Sequence, residues 1–178
     1  CFGEYRKEFM FNDYVLVGPE NDPANIKKTI SITSALIKIV NSKSFFISRG
    51  DNSGTNMKEI ELWKAIKSVP NPRYNKWYLS VGQGMGGALN VAVNKNAYIL
   101  SDRATWESFR NKKNHKILVS NKPSLLNFYG VIPISSKMCP NTKEKLAKIF
   151  VEWLVSSESK NLINNFKINE KQLFYPLN

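Results

Sequence analysis

Residues 45–55, FFISRGDNSGT, gather a single arginine, two glycines and three hydroxyl side chains between a short apolar run and an amphipathic segment. Arg49 brings a permanent positive charge and a fork of donors. Gly50 and Gly54 let the backbone turn tightly and approach a ligand closely. A helix beginning near Ser53 to Thr55 leaves its first N–H groups unpaired and turns the positive end of its dipole to the same spot. Arginine, free amides and hydroxyls are all donors, so the guest they suit is a small oxyanion. The same residues also allow a purely structural arrangement, in which Ser53 or Thr55 caps the helix and Arg49 pairs with Asp51. A nucleotide P-loop is excluded, because Gly50 and Gly54 are too close for G-x-x-x-x-G and no lysine directly follows them.

A strand ending at Ser48 would deliver Arg49 to its carboxyl end, where open α/β sheets bind ligands. SFFIS reads as that buried strand, and FNDYVLVGP, stopped by Gly18 and Pro19, as an earlier one. Ile32, Leu36, Ile39 and Val40 share one face of a helix that Ser31 or Thr33 can cap. Met57, Ile60, Trp63 and Ile66 recur every three residues, so 54–67 is expected to be a helix packed through that stripe. KWYLSVGQGMGGALNVAV reads as strand, glycine-rich turn and helix. AYILS, KILVS and YGVIPIS follow as strands, with a helix from DRATWESF among them. Asn141 and Glu144 form a capping-box pattern ahead of a helix faced by Leu146, Ile149, Phe150, Trp153 and Leu154. A last helix runs through SSESKNLINNF. Strands alternating with helices predict an α/β fold.

Other chemistries find little support. Cys1, Cys139 and His115 are the only thiols and the only imidazole, too few and too scattered for a zinc site or a Cys–His pair. An oxidising compartment would allow a disulfide between the two cysteines, but a reduced pair is expected. No nucleophile stands beside a base and no paired carboxylates flank a glycine turn, so an enzyme is not expected. The net charge of +12 invites a nucleic-acid reading, but the lysines are scattered through an asparagine-rich chain without an aromatic RNA motif, a basic heptad helix or a zinc finger. With 42% hydrophobic and 12% aromatic residues the chain is globular. CFGEYRKEFM lacks the basic start and apolar middle of a signal peptide.

Six collinear blocks, MFNDYVLVGPENDPA, FISRGDNSGTNMKEIELW, WYLSVGQGMGGALNVA, AYILSDRATW, LLNFYGVIPIS and FVEWLVSSESKNLINNFKINEKQLFYP, run through nearly the whole chain. Together they closely resemble the tungstate-binding proteins of bacterial ABC importers, the TupA type. The resemblance implies a two-lobed, type II periplasmic binding protein that closes on a tetrahedral oxyanion, tungstate or molybdate, and presents it to a membrane permease. It implies a periplasmic or extracytoplasmic location, a ligand and no cofactor. On that comparison Arg49 matches the arginine that pairs with the anion, and Thr55 a hydroxyl and amide donor beside it. Ser53 and Gly54 would add backbone amides. Gln83, Gly84 and Met85 form a second glycine-rich turn that either faces the cleft or serves a close helix–sheet contact. Asp102 and Arg103 are expected to form a structural salt bridge.

The resemblance has one large departure, because the family's earlier portion, with its Thr/Ser-rich oxyanion loop, has no match here. Residues 1–11 are therefore expected to end a first-lobe segment, 12–133 to form the oxyanion-binding lobe, and 134–178 to be C-terminal helices that finish the other, incomplete lobe. Cys1 is expected to correspond to an interior position of a longer protein. Phe150, Trp153 and Leu154 would then need cover, from a separate N-terminal portion or by self-association. Phosphate is the alternative ligand, since residues 49–55 also resemble the Arg-Ser-Asp-Gly-Ser-Gly-Thr signature of phosphate-binding proteins. Asp51 decides between them: pointing at the ligand it would accept the proton of hydrogen phosphate, and turned back on Arg49 or the helix it would leave the site to a fully ionised oxyanion. A regulator's effector domain is a further alternative, although no DNA-reading helix-turn-helix is present.

Overall fold

The computed structural model describes residue 3 and residues 5–177. The chain divides into two compact units, one of Asp13–Leu125 and the other joining the chain up to Asn12 with the chain from Leu126 onward.

The larger unit is built on a mixed sheet. Its first strand, β1 (Lys7–Pro19), starts in the smaller unit and is followed by helix α1 (Ile32–Ser42), β2 (Phe46–Ser48), α2 (Gly54–Ala65), β3 (Tyr78–Ser80) and α3 (Met85–Asn94). β4 (Tyr98–Asp102), α4 (Arg103–Ser108) and β5 (His115–Val119) complete it. The strand order is β3-β2-β4-β1-β5, with β2 parallel to both neighbours and β1 antiparallel to β4 and β5.

Alternation along the strands sends side chains to two faces. Tyr14, Leu16, Phe46, Tyr98 and Leu100 meet Ile32, Leu36 and Ile39 of α1 and Leu62 and Trp63 of α2. Val15, Val17, Ile47 and Ile99 meet Met85, Leu89 and Ala92 of α3 and Trp106 of α4. Helices on both faces of a mixed sheet give the expected α/β layers. The first face is dense in rings, with Phe46 edge-on to Trp63 at 5.1 Å and stacked on Tyr78 at 5.9 Å.

Local signals explain the helix ends. Ser31 caps α1 in a capping box completed by Ser34, and Lys43 closes the helix in the left-handed region. The three-residue stripe expected for α2 is corrected: Met57 is 58% exposed, and the buried residues are Thr55, Asn56, Glu59, Leu62 and Trp63. Spacings of three and four, not three alone, keep one face of a 3.6-residue helix turned inward, and here part of that face is polar.

In the smaller unit β6 (Leu126–Val131) and β9 (Tyr175–Pro176) pair with β1. Asn12 donates to the Tyr129 hydroxyl at 3.2 Å and accepts from Asn127 at 2.8 Å. Helices α5 (Glu144–Leu154) and α6 (Ser157–Asn165) precede a small hairpin of β7 (Lys167–Ile168) and β8 (Lys171–Gln172). The expected Asn141–Glu144 capping box is absent. α5 begins at Glu144, whose carboxylate instead takes the Ser136 N–H at 2.5 Å and the Lys148 ammonium at 2.6 Å. Cys139 is disulfide-bonded, which corrects the expected reduced state, since separation along the chain says nothing of Cα distance. Cys1 lies outside the described residues.

Candidate oxyanion site

β2, β3 and β4 are adjacent and parallel, and each passes its chain from its carboxyl end into a helix. Three helix starts therefore line one edge of the sheet. Residues 49–53 join β2 to α2, and residues 81–84 join β3 to α3. The two turns are laced together, because Val81 N–H donates to the Ser48 carbonyl at 3.1 Å and Gln83 N–H to the Arg49 carbonyl at 3.2 Å. That lacing brings Arg49, Ser53, Gly54 and Thr55 beside Gln83, Gly84 and Met85. Gly50 makes the close approach possible: its φ is +63°, and a Cβ there would lie 1.9 Å from the Ser80 Oγ.

Within the first turn Asp51 faces inward on its own loop. Its Oδ2 accepts from Arg49 Nε at 3.1 Å and Nη2 at 2.5 Å, and its Oδ1 accepts from Ser53 N–H at 3.2 Å. Hydrogen bonding from Ser53, and then from Arg49, holds its carboxyl below the usual range, so it is a carboxylate at neutral pH. Ser53 is the N-cap of α2, accepting from Asn56 N–H at 3.3 Å. The structural arrangement weighed from the sequence is thus realised, and it still leaves donors over. Among the described residues nothing accepts from the Gly54 or Thr55 amides, nor from the Thr55 hydroxyl on a side chain that is 8% exposed. Asp51 grips the Nε–Nη2 side of Arg49, and among the described residues nothing accepts from Nη1.

The second turn resolves its two readings in part. Gly82, Gly84 and Gly86 would each place a Cβ in open space, so no tight helix–sheet contact demands them. Gly84 is the N-cap of α3 without a side-chain cap, which leaves the first amides of that helix uncapped by a side chain. Met85 packs its side chain into the core beneath α3, so only its N–H is available to a ligand. Gln83 is exposed and folds back over the helix start, where a Cβ on Gly87 would stand 2.4 Å from its Oε1.

A family model described as a PBP superfamily domain matches residues 2–158. A solved structure, the tungstate-binding protein TupA of Desulfovibrio alaskensis G20, superposes with a TM-score of 0.86 at 40% identity, covering 99% of this chain and 71% of that one. The chain belongs to the TupA family. A second structure, the tungstate ABC transporter from Geobacter sulfurreducens, matches with a TM-score of 0.80 at 38% identity, covering 93% of this chain and 69% of that one. The TupA tungstate-binding protein of Peptoclostridium acidaminophilum is 40% identical over 166 residues, 92% of this chain. The chain spans 57% of that relative's length.

In this TupA-family chain the expected Asp102–Arg103 bridge does not form. Asp102 turns into the helix as N-cap of α4, accepting from Thr105 N–H at 2.8 Å, while Arg103 reaches β1 and clamps Asp13 at 2.7 and 2.6 Å. The residues missed by sequence reading are Ser48, Asn56 and Glu59. Their signal was available: Thr55, Glu59, Leu62 and Trp63 fall at helical spacing, but two polar members hid the stripe. Among the described residues no group of three His, Cys, Asp or Glu side chains is arranged to hold a metal ion.

Proposed function

We propose that this chain is the solute-binding part of an ABC importer, working on the extracytoplasmic side of the membrane, where it takes tungstate or the near-identical molybdate as a tetrahedral oxyanion and hands it to the permease. Relatives over most of the chain carry the name tungstate-binding protein. The groups on the sheet edge are donors: the free side of Arg49, the Gly54 and Thr55 amides, the Thr55 hydroxyl, and the start of α3 around Gln83, Gly84 and Met85.

The observation that carries the choice of anion is the orientation of Asp51. Its Oδ2 accepts two bonds from Arg49 and its Oδ1 one from Ser53, so the carboxylate is spent on bracing its own loop rather than held out for the proton of hydrogen phosphate. A fully ionised dianion needs donors only, each charge-assisted bond contributing roughly 1.5–3 kcal/mol. Enclosing such an ion takes more donors than one sheet edge supplies, and we assign the remainder to further polypeptide of the importer protein. The exposed apolar face of α5 is the surface we assign to contact with that polypeptide or with a second copy.

Calorimetric titration with tungstate, molybdate and phosphate tests the reading, with Arg49→Ala as control. Saturable tungstate and molybdate binding lost in the variant is expected, with phosphate weak. Preferential phosphate binding would overturn it, as would turnover of a phosphate ester. No heat from any anion would assign the working site to an assembly larger than this chain.

A further inference from the structure

Beneath the loop that carries Arg49 and Thr55 lies a carboxylate that anion binding does not use. Glu59 is 3% exposed. Its Oε1 accepts from Trp63 Nε1 at 2.9 Å and from the Tyr78 hydroxyl at 2.7 Å. Its Oε2 accepts from the Ser48 hydroxyl at 2.7 Å and from Asn56 Nδ2 at 3.4 Å. Ser48 immediately precedes Arg49, and Asn56 immediately follows Thr55. Asn56 Nδ2 also donates to Ser48 Oγ at 3.1 Å, which leaves its Oδ1 to accept the Asn52 N–H at 3.1 Å. Asn52 sits in the turn with φ of 57°. One buried carboxylate therefore fixes both ends of the loop and, through Asn56, its middle.

We propose that Glu59 is a positioning residue for the oxyanion site, setting the donor sense of Ser48 and Asn56 and thereby the conformation of residues 49–55 that aims Arg49 and Thr55. The inference rests on the oxyanion reading for what the loop grips, but not for the ordering of the loop. Among the described residues no cation pairs with Glu59, so four hydrogen bonds alone hold a buried acid. Desolvation pushes its pKa up, and the donors from Tyr78, Ser48, Trp63 and Asn56 oppose that. An apolar side chain among Phe46, Trp63 and Tyr78 would avoid that penalty. What it would not do is orient Asn56.

Glu59→Gln tests this in the full chain, because it keeps the shape and inserts one NH2 group. Trp63 Nε1 can only donate, so the new amide must turn its NH2 toward Ser48 and Asn56, where the Ser48 hydroxyl can rotate to accept but the Asn56 NH2 cannot. Asn56 then flips to accept, and the Asn52 N–H loses its partner. Amide exchange at Asn52 and Ser53 is expected to quicken about tenfold, and tungstate affinity to fall about tenfold, the weight of one hydrogen bond. Exchange in β1 and β4 should hold. Adding Asn56→Asp supplies an acceptor to both the new amide and Asn52, and exchange protection at Asn52 should return. A merely structural loss would not be rescued this way. Should E59Q fail to fold, Asn56→Ala cuts the same link while three donors still hold Glu59, with the same exchange signature expected. Wild-type exchange at Asn52 and Ser53 in these variants, or no recovery in the double variant, would overturn the proposal. If the wild-type chain ignores tungstate, the working site belongs to a larger assembly and the exchange data alone decide the role of Glu59.

Discussion

Helices α2 and α5 are almost equal in length, 12 and 11 residues, and bury opposite kinds of surface. α2 turns Thr55, Asn56 and Glu59 inward beside Leu62 and Trp63. α5 buries Val151 and leaves Leu146 61%, Ile149 62% and Phe150 52% exposed. Its clean amphipathic pattern tells which face wants cover without supplying any. The mixed pattern of α2 is tolerated because each inward polar group of Asn56 and Glu59 has a partner, and a matched buried polar group avoids the roughly 1–3 kcal/mol penalty of an unmatched one. Burial in this chain follows hydrogen-bond matching and available surface together, not hydrophobicity alone.

The sharpest way to separate the two regions is through the ligand. Arg49→Ala removes charge-assisted donors and frees Asp51 to repel the dianion, so tungstate affinity should fall about a thousandfold, read by calorimetry, from two bonds of roughly 1.5–3 kcal/mol each. An unchanged affinity would mean that the α2 loop is only structural. Next in size, Gly50→Ala forces a side chain into a positive-φ turn against Ser80. It should cost about 1–3 kcal/mol in urea unfolding and weaken tungstate as the two turns part. A neutral result would show that the turns are not held as tightly as their backbone bonds imply.

His115 supplies the contrast within the larger unit between matched and unmatched burial. Its Nε2 lies 3.2 Å from the Ala97 carbonyl, while Nδ1 is buried without a partner among the described residues. Desolvation, with Lys113 adding to it, lowers the pKa of the imidazole below 6.5 against the opposing Ala97 contact. Below pH 6.5 the unfolded chain takes up the proton before the folded one does, so stability is full above that pH and declines as the medium is acidified. Urea midpoints at neutral and mildly acidic pH should show this slope, and His115→Gln should flatten it. Smallest of all, Phe150→Ser on α5 should change unfolding stability by less than about 0.5 kcal/mol, as an exposed position does. If α5 is a contact face, the same change should reduce self-association in concentration-dependent sedimentation. A large loss of monomer stability would instead mean that Phe150 is covered in solution.

Much of the larger unit was legible in the residues. Ser31 and the Ile32–Leu36–Ile39 face announced α1, and short apolar and aromatic runs announced β1, β2 and β4, because capping and strand alternation are local properties. Arg49, Gly50 and Gly54 marked the loop for the same reason. The partners were not legible. Arg103 finds Asp13 across 90 positions of chain, and Tyr78 finds Glu59 across 19. The α2 stripe misled because Met57 and Ile60 are apolar at plausible spacing, and nothing local says that Glu59 has four donors waiting for it.

The sequence by itself determined that this chain folds as α/β layers and that an arginine, small residues and a helix start converge after β2. Those are consequences of propensity, period and turn chemistry, which act over a few residues. Tertiary structure decided which donors on that sheet edge remain unengaged. Asp51 turning back on Arg49 and Ser53, the lacing of Gln83 to Arg49, and the burial of Glu59 all depend on which strands lie side by side. That order is fixed by packing both faces of the sheet at once, and so it is a property of the whole fold.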